Sequence, residues 1–372
     1  MKVYPMRKPF IYITLALALT ACNSSDGYWD FAEGGEASAI PVGFEVYSGN
    51  VTRATYGPLD NQKLMASADG IGVFACYHLA TETFGSSSTF NFMNNQQVRY
   101  LGQWAYAPIK YWPNEPDEHL SFFAYAPYVD AINATTVGFT SIGTQDGYPT
   151  VGWTVVEDPT KQVDLMWAAP CVDQPKPASA AAIQLQFRHA LAKLNFFVDA
   201  SGTNDAPIDP NTKIVVKSLQ LTGNMALSGT LSLSSTTTEQ PSWSTSSSQA
   251  LVFSEGSSAL NPMVTSNGNV GVTNTTVSLL KTSNDGTPGS IMVIPTTSSG
   301  DVGVTIVYDV KTTNGTTTHT VTNTITKTVS GVTIEAGKEY NFNLHLGLQN
   351  VAISATANSW TNANNDNNDI SL

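Results

Sequence analysis

Residues 40–47 read Ile-Pro-Val-Gly-Phe-Glu-Val-Tyr, the first stretch of the chain with the pattern of a β-strand. Its apolar residues Ile40, Val42, Phe44 and Val46 alternate with Pro, Gly, Glu and Tyr. Successive side chains of a β-strand point to opposite faces, so this alternation predicts a strand with one buried face. The four apolar side chains are therefore predicted to face the core of a β domain.

Similar short runs recur along the chain, each rich in β-branched or aromatic residues and bounded by turn-forming residues. The predicted strands are 70–77, 120–128, 151–156, 183–198, 214–221, 290–294, 302–310, 321–329, 340–348 and 351–357. Within them, only residues 187–194 have the spacing of one or two helical turns. Many short strands separated by turn signals are typical of β-sandwiches and barrels, so the predicted fold class is all-β.

A proline-rich stretch at residues 169–177 interrupts this pattern near the middle of the chain. Proline fixes φ and removes a backbone donor, so we predict a domain boundary there. The prediction is an N-terminal β-sandwich domain at 40–177 and a C-terminal β-sandwich domain at 178–372. The first is rich in aromatic residues, and the second is dominated by Ser, Thr and Asn.

The N-terminus is typical of an exported lipoprotein. Residues 1–21 combine a basic start with a short apolar run at 11–19, as in a secretory signal peptide. Cys22 follows Leu-Thr-Ala directly, where a diacylglycerol can be attached to its thiol after cleavage. Several acyl chains give a stable membrane anchor. We predict lipidation of Cys22, followed by a small and polar tether at residues 22–39.

Charge and composition exclude some partners. The formal net charge is −12, and the three basic residues of the signal peptide leave with it, so the mature chain is near −15. An acidic surface of this kind repels nucleic acid, which is therefore excluded as a partner. Beyond Cys22, Cys76 and Cys171 remain, and they could form one disulfide or stay as buried thiols.

No pattern in the sequence indicates catalysis, and we predict neither a metal nor a cofactor. The five histidines include no i, i+4 pair, and no Gly-x-Ser-x-Gly motif is present. A pair of carboxylates distant in sequence, as in a glycosidase, stays open at this point.

The aromatic stretch at residues 104–113, Trp-Ala-Tyr-Ala-Pro-Ile-Lys-Tyr-Trp-Pro, has two interpretations. Trp104, Tyr106 and Trp112 lie on one side of an extended segment, where they could stack against sugars. Large rings more often fill a core, and 122–128 could supply packing partners, so we favour burial.

These segments, in this order, resemble the fimbrillin family of Bacteroidales, and its fimbrillin-like branch in particular. Each segment alone is a weak match and the ordered set is specific; it includes 104–113 and Ser-Phe-Phe-Ala-Tyr-Ala-Pro-Tyr at 121–128. The remaining matching segments are 44–46, 52–54, 71–75, 92–98, 163–168, 187–194, 291–295, 336–342 and Trp360.

The resemblance implies two transthyretin-like sandwiches in tandem, export as a lipoprotein and assembly at the outer membrane as a pilus (fimbrium) with other fimbrillin subunits. In the family an arginine-specific protease cuts after the first strand, and Arg53 matches that position. Loss of that strand would open a groove for a strand from a neighbouring subunit.

The strand to be donated is predicted from its alternation. Val351, Ile353, Ala355 and Ala357 alternate with small polar residues or alanine, and Ile-Ser-Leu at 370–372 offers a second candidate. Two functions stay open. One is a non-catalytic pilus subunit (stalk, tip or anchor) that contributes to adhesion to a host or bacterial surface ligand. The alternative is a lipid-anchored glycan-binding surface protein.

Overall fold

The computed structural model describes residues 39–48, 61–82, 84–85, 89–130, 132–133, 136–201, 209, 211–235, 240–245, 250–254, 277–280, 289–296, 298–347 and 351–359. The signal peptide, Cys22, Arg53 and residues 370–372 lie outside these ranges. Within them, no helix combines the length and the apolar character needed to cross a membrane.

The elements up to residue 201 are strands with one short helix and one 3-10 turn. They are β1 (Gly43–Ser48), α1 (Asn61–Ala66), β2 (Ile71–Leu79), β3 (Met93–Tyr100), β4 (Trp104–Ala105), β5 (Glu118–Ala126), β6 (Phe139–Gln145), β7 (Tyr148–Thr154), a 3-10 turn (Pro159–Lys161), β8 (Met166–Pro175), β9 (Ala182–His189) and β10 (Ala192–Ser201).

In the part of the chain after residue 201 that the structure describes, the elements are all strands. They are β11 (Thr212–Gly223), β12 (Ser228–Ser232), β13 (Ser242–Thr245), β14 (Leu251–Ser254), β15 (Val277–Ser278), β16 (Ile291–Val293), β17 (Gly300–Asn314), β18 (Thr317–Val332), β19 (Lys338–Gly347) and β20 (Val351–Ser359). The predicted all-β fold class is confirmed.

The strands form four sheets. A seven-stranded sheet has the order β1-β9-β8-β5-β2-β3-β4, and a four-stranded sheet has the order β13-β12-β7-β6. A five-stranded sheet runs β15-β10-β19-β20 with β16 also paired to β10, and a second four-stranded sheet runs β14-β11-β17-β18. Most pairs are antiparallel, but β1 pairs with β9 and β10 pairs with β19 in parallel.

The seven-stranded sheet packs against apolar residues on both faces. In β5, Phe122 belongs to a cluster on one face, which we call the first cluster, and Phe123 belongs to a larger cluster on the other. This explains why β5 and β2 are apolar almost without interruption, because a strand buried on both faces has no solvent side for polar residues. The first cluster includes the apolar side chains of β1, and the larger one extends into the other three sheets.

One detail predicted near the middle of the chain is wrong. Residues 187–194 form no helical turn, because β9 ends at His189 and β10 begins at Ala192. Most of the proline-rich stretch at residues 169–177 lies in β8. The β5–β8 ladder shifts register on both sides of the Phe122–Cys171 pair, next to Pro170, and this irregularity lets the sheet accommodate a residue with no N–H.

Candidate functional site

The first strand lies at an edge of the seven-stranded sheet. It runs parallel to β9 in continuous register, from Gly43 opposite Ala182 to Ser48 opposite Phe187. Val42, Phe44 and Val46 are almost fully buried, whereas Tyr47 on the other face is 44% exposed. The alternation that predicted a half-buried strand is therefore confirmed, although the regular strand begins at Gly43 rather than at residue 40.

The residues just before β1 are held on their other side by residues 110–112. The Val42 N–H donates to the Lys110 carbonyl at 2.8 Å, and the Trp112 N–H donates to the Ile40 carbonyl at 2.8 Å. A β-bridge between Pro41 and Tyr111 lies between these two bonds. The start of the first strand is thus hydrogen-bonded to residues 110–112, and its continuation is hydrogen-bonded to β9.

The hydroxyl of Tyr106 also connects Val42 to Lys110. The Tyr106 hydroxyl donates to the Val42 carbonyl at 2.8 Å and accepts from the Lys110 N–H at 3.2 Å. Burial disfavours the charged phenolate and raises the pKa of Tyr106 to about 12. The hydroxyl therefore stays protonated, and able to donate, throughout the neutral range.

Phe44 fills the centre of an aromatic pocket. Its ring centroid lies 5.7 Å from that of Tyr106 and 5.8 Å from that of Phe122, and the contact with Phe122 is edge-to-face. Trp112 packs edge-to-face on Phe122, with 5.8 Å between ring centroids. We call the surface beneath the first strand the β1 groove, lined by Tyr106, Trp112, Phe122, Ile183 and Leu185, all of them packed in the first cluster.

The preference for burial of the aromatic stretch is confirmed. Trp104 is almost fully buried and packs on Tyr100 with 5.7 Å between ring centroids. Trp112 is 3% exposed, and Tyr106 is partly buried against the same cluster. The three rings therefore do not form an exposed surface for stacking sugars.

The predicted donor strand lies at the edge of another sheet. β20 pairs antiparallel with β19, with Val351 opposite Leu346 and Ile353 opposite Leu344. Further along, Ala355 and Ala357 pack against the larger cluster. Like β1, β20 has a single neighbour in its sheet, so both ends of the described chain are edge strands.

Two arginines of the chain lie in described strands. After Cys22 the sequence has three arginines, Arg53, Arg99 and Arg188. Arg99 lies within β3 and Arg188 within β9, where the backbone is engaged in sheet pairing. Arg53 itself lies outside the described residues, as does Cys22.

The two remaining cysteines are not disulfide-bonded. Cys76 is buried in β2, on the face that Phe74 shares with the larger cluster, whereas Cys171 packs against the first cluster on the opposite face. Burial raises the pKa of the Cys171 thiol. The choice left open by the sequence is therefore resolved in favour of two thiols.

Near one end of β5, polar side chains form contacts that were not predicted from the sequence. The His78 Nε2 lies 2.9 Å from the Ser121 Oγ, and His119 Nδ1 lies 2.6 Å from Asp173 Oδ1. These pairs could not be predicted from the sequence, because the two members of each pair are 43 and 54 positions apart along the chain.

The serine and histidine of this group do not form an accessible catalytic pair. Ser121 has no exposed surface, and its Oγ accepts a hydrogen bond from the Asp173 N–H at 2.9 Å. A substrate carbonyl cannot approach an oxygen that is fully covered. Among the described residues, moreover, no three His, Cys, Asp or Glu side chains are grouped so as to hold a metal ion. The arrangement is a polar network that joins β2, β5 and β8, in which His78 and Ser121 are buried and the Asp173 side chain is 58% exposed.

Comparison with known protein families gives one match over most of the chain and another at its N-terminus. A family described as fimbrillin-like matches residues 52–360, and a family described as a prokaryotic membrane lipoprotein lipid attachment site matches residues 6–23. A search of curated proteins gave no match.

Among solved structures, a fimbrial protein shows the same fold, and two further proteins have lower TM-scores. A fimbrial protein from Bacteroides vulgatus is 22% identical, with a TM-score of 0.63, over 86% of this chain and 99% of its own. A protein assigned to cell adhesion from Bacteroides uniformis is 16% identical, with a TM-score of 0.44, over 87% and 99%. The fimbrial anchor protein Mfa2 from Porphyromonas gingivalis is 12% identical, with a TM-score of 0.35, over 86% and 98%.

Proposed function

The chain belongs to the fimbrillin-like family, a non-catalytic family of fimbrial and cell-adhesion proteins, and we propose that it is a pilus subunit assembled by donor-strand exchange. In this proposal, Cys22 is lipidated and anchors the chain at the outer membrane, and an arginine-specific protease cleaves after Arg53. The first strand, with Ile40, Val42, Phe44 and Val46, is then displaced. A strand from another fimbrillin subunit takes its place.

One observation carries the proposal: the first strand is an edge strand whose inward side chains fill the β1 groove. Its removal would expose the apolar lining and also leave the unpaired backbone edge of β9. Exposed apolar surface and a free strand edge together favour pairing with another strand. Cleavage at residue 53 would detach this strand without cutting any other strand that the structure describes.

The positions of the other two arginines after Cys22 support Arg53 as the cleavage site. A protease needs an extended, unpaired segment in its active site, and Arg99 and Arg188 are held in the sheet. We further propose that β20, with Val351, Ile353, Ala355 and Ala357, is the strand this chain donates. Its edge position allows it to separate from β19 without disturbing a strand on its other side.

The proposed architecture is two transthyretin-like sandwiches in tandem, at residues 40–177 and 178–372. The separate first cluster beneath β1 supports an N-terminal core of its own. β9 lies after residue 177, but it pairs with β1 and β8 of the N-terminal part.

The alternative, a lipid-anchored glycan-binding protein, has less support, since the rings that could stack on sugars are buried in the core. The adhesion ligand is proposed to be a host or bacterial surface molecule. Within the pilus, the proposed role is that of a stalk, tip or anchor subunit.

The test compares Arg53→Ala with wild type in cells that assemble the pilus. Wild-type chain is expected in sheared surface filaments, as assemblies that resist sodium dodecyl sulfate until they are heated. The Arg53→Ala chain is expected to stay out of them, and Arg99→Ala, the matched control, to enter them normally. If Arg53→Ala enters the filaments as well as wild type does, cleavage at this residue is not required and the proposal is refuted.

A further inference from the structure

The centre of the β1 groove is shaped for an aromatic ring. Phe44 is the largest inward side chain of the first strand, and it is 5% exposed. Its ring contacts Phe122 edge-to-face and is tilted against Tyr106. On either side of it, Val42 and Val46 fill smaller positions, and both are apolar. The groove therefore selects an apolar, aromatic and apolar residue at three alternate positions of a strand.

The C-terminal segment of this chain does not match that pattern. The apolar residues at alternate positions of β20 are Val351, Ile353, Ala355 and Ala357, so the central position would receive Ile at most and a flanking position would receive Ala. A smaller side chain in a closely packed position leaves a cavity and loses contacts. β20 is therefore a poor replacement for the first strand of a second copy.

The one aromatic residue after Val351 does not correct the mismatch. Trp360 has the opposite parity to Ile353, so it would enter the central position together with Asn358 and Asn362. An asparagine then occupies each flanking position in either strand direction, and a buried amide without partners is costly. Residues 370–372, Ile-Ser-Leu, contain no aromatic residue and are preceded by Asp369.

We infer that the β1 groove accepts a strand from a different subunit, with an aromatic residue at its centre and apolar residues two positions away on each side. This inference rests on the proposed function. It places the chain at a junction between unlike subunits, such as a tip or an anchor, rather than in a stalk of identical copies. A stalk would need the donated strand and the groove of one chain to match.

The test uses the full chain, cleaved by an arginine-specific protease, and labelled nine-residue peptides. The first peptide has the sequence of residues 40–48, and its Phe44→Ala and Tyr47→Ala versions differ in an inward and an outward ring. The second peptide has the sequence of residues 351–359, and its Ile353→Phe version adds the missing ring. Fluorescence polarisation measures binding, and mass spectrometry measures release of the N-terminal fragment.

The 40–48 peptide is expected to bind at least about 100-fold more tightly than its Phe44→Ala version, as follows from the loss of a buried ring. Tyr47→Ala, which changes an exposed ring, should alter binding less than about threefold. The 351–359 peptide should bind as weakly as Phe44→Ala, and Ile353→Phe should strengthen its binding at least about tenfold.

Two failures are distinguishable. If the 351–359 peptide binds within about threefold of the 40–48 peptide, the groove does not select an aromatic strand, and the inference is overturned while strand exchange stands. If the N-terminal fragment stays bound, or the emptied groove takes up neither peptide, strand exchange itself is refuted, and the inference with it.

Discussion

Replacement of Trp112 by alanine is the sharpest test of the aromatic stretch. Trp112 is 3% exposed, and its ring packs edge-to-face against Phe122, which has no exposed surface. The backbone N–H of Trp112 also holds the Ile40 carbonyl at 2.8 Å. The substitution leaves this backbone bond in place but empties the space beside Phe122, so its effect reports on packing.

The magnitude follows from the size of the ring. A buried tryptophan replaced by alanine typically costs about 3–5 kcal/mol, because transfer of the removed atoms and the cavity left behind both contribute. The edge-to-face contact with Phe122 accounts for about 0.5–1.5 kcal/mol of additional stability. Natural domains are stable by only about 5–15 kcal/mol, so the loss should be a large part of the total.

Urea unfolding of the Cys22→Ala chain, which lacks the lipid, measures this loss. Tyr111→Ala is the matched control, because Tyr111 is the neighbouring aromatic residue and is 46% exposed. Its effect should stay within about 0.5 kcal/mol. If Trp112→Ala were as mild as Tyr111→Ala but abolished binding to a polysaccharide, the core assignment would be wrong and the glycan-binding function would be favoured.

Three further outcomes are expected. Cys22→Ala should move the protein from the membrane fraction to the soluble fraction and remove palmitate labelling; membrane retention with the label intact would refute lipidation at Cys22. Tyr106→Phe should reduce the loss of folding stability between about pH 10 and about pH 12. The pKa of Tyr106 in the folded chain lies above the ordinary 10.0, so the stability that its protonated hydroxyl contributes is complete below pH 10 and is lost as the pH rises. An alkaline unfolding curve that the substitution leaves unchanged would contradict this. Ser121→Ala should destabilise the fold by about 1–3 kcal/mol, because the Asp173 N–H and His78 lose their partner; an unchanged unfolding curve would show that the network contributes nothing.

Strands whose own residues show an apolar pattern could be predicted from the sequence. β1 and β11 show alternation that belongs to one buried face, and β5 shows the continuous apolar run of a strand covered on both faces. β3 could not be predicted, because residues 94–97 read Asn-Asn-Gln-Gln and only Met93 and Val98 are fully buried. Its position is fixed by pairing with β2, which local propensity does not record.

The candidate site was predictable in its parts but not in its assembly. The alternation of residues 40–47 and the aromatic stretch were both evident in the sequence, whereas their contact was not. Gly43 pairs with Ala182 in β9, and Val42 bonds to Lys110, so both partners are distant along the chain. Parallel pairing with β9 also has no local signal, since no hairpin turn joins the two strands.

The energetics of the first strand explain why side-chain size, rather than backbone pairing, should govern what replaces it. Burial of Val42, Phe44 and Val46 contributes about 1.5–3 kcal/mol each, or about 4.5–9 kcal/mol together. A backbone hydrogen bond contributes only about 0.5–1.5 kcal/mol net, and any incoming strand forms such bonds whatever its sequence. Backbone pairing with β9 therefore favours strands in general, and the aromatic pocket discriminates between them. A subunit that kept β9 but lost the ring of Phe122 would still pair with a strand, but it would no longer prefer an aromatic one.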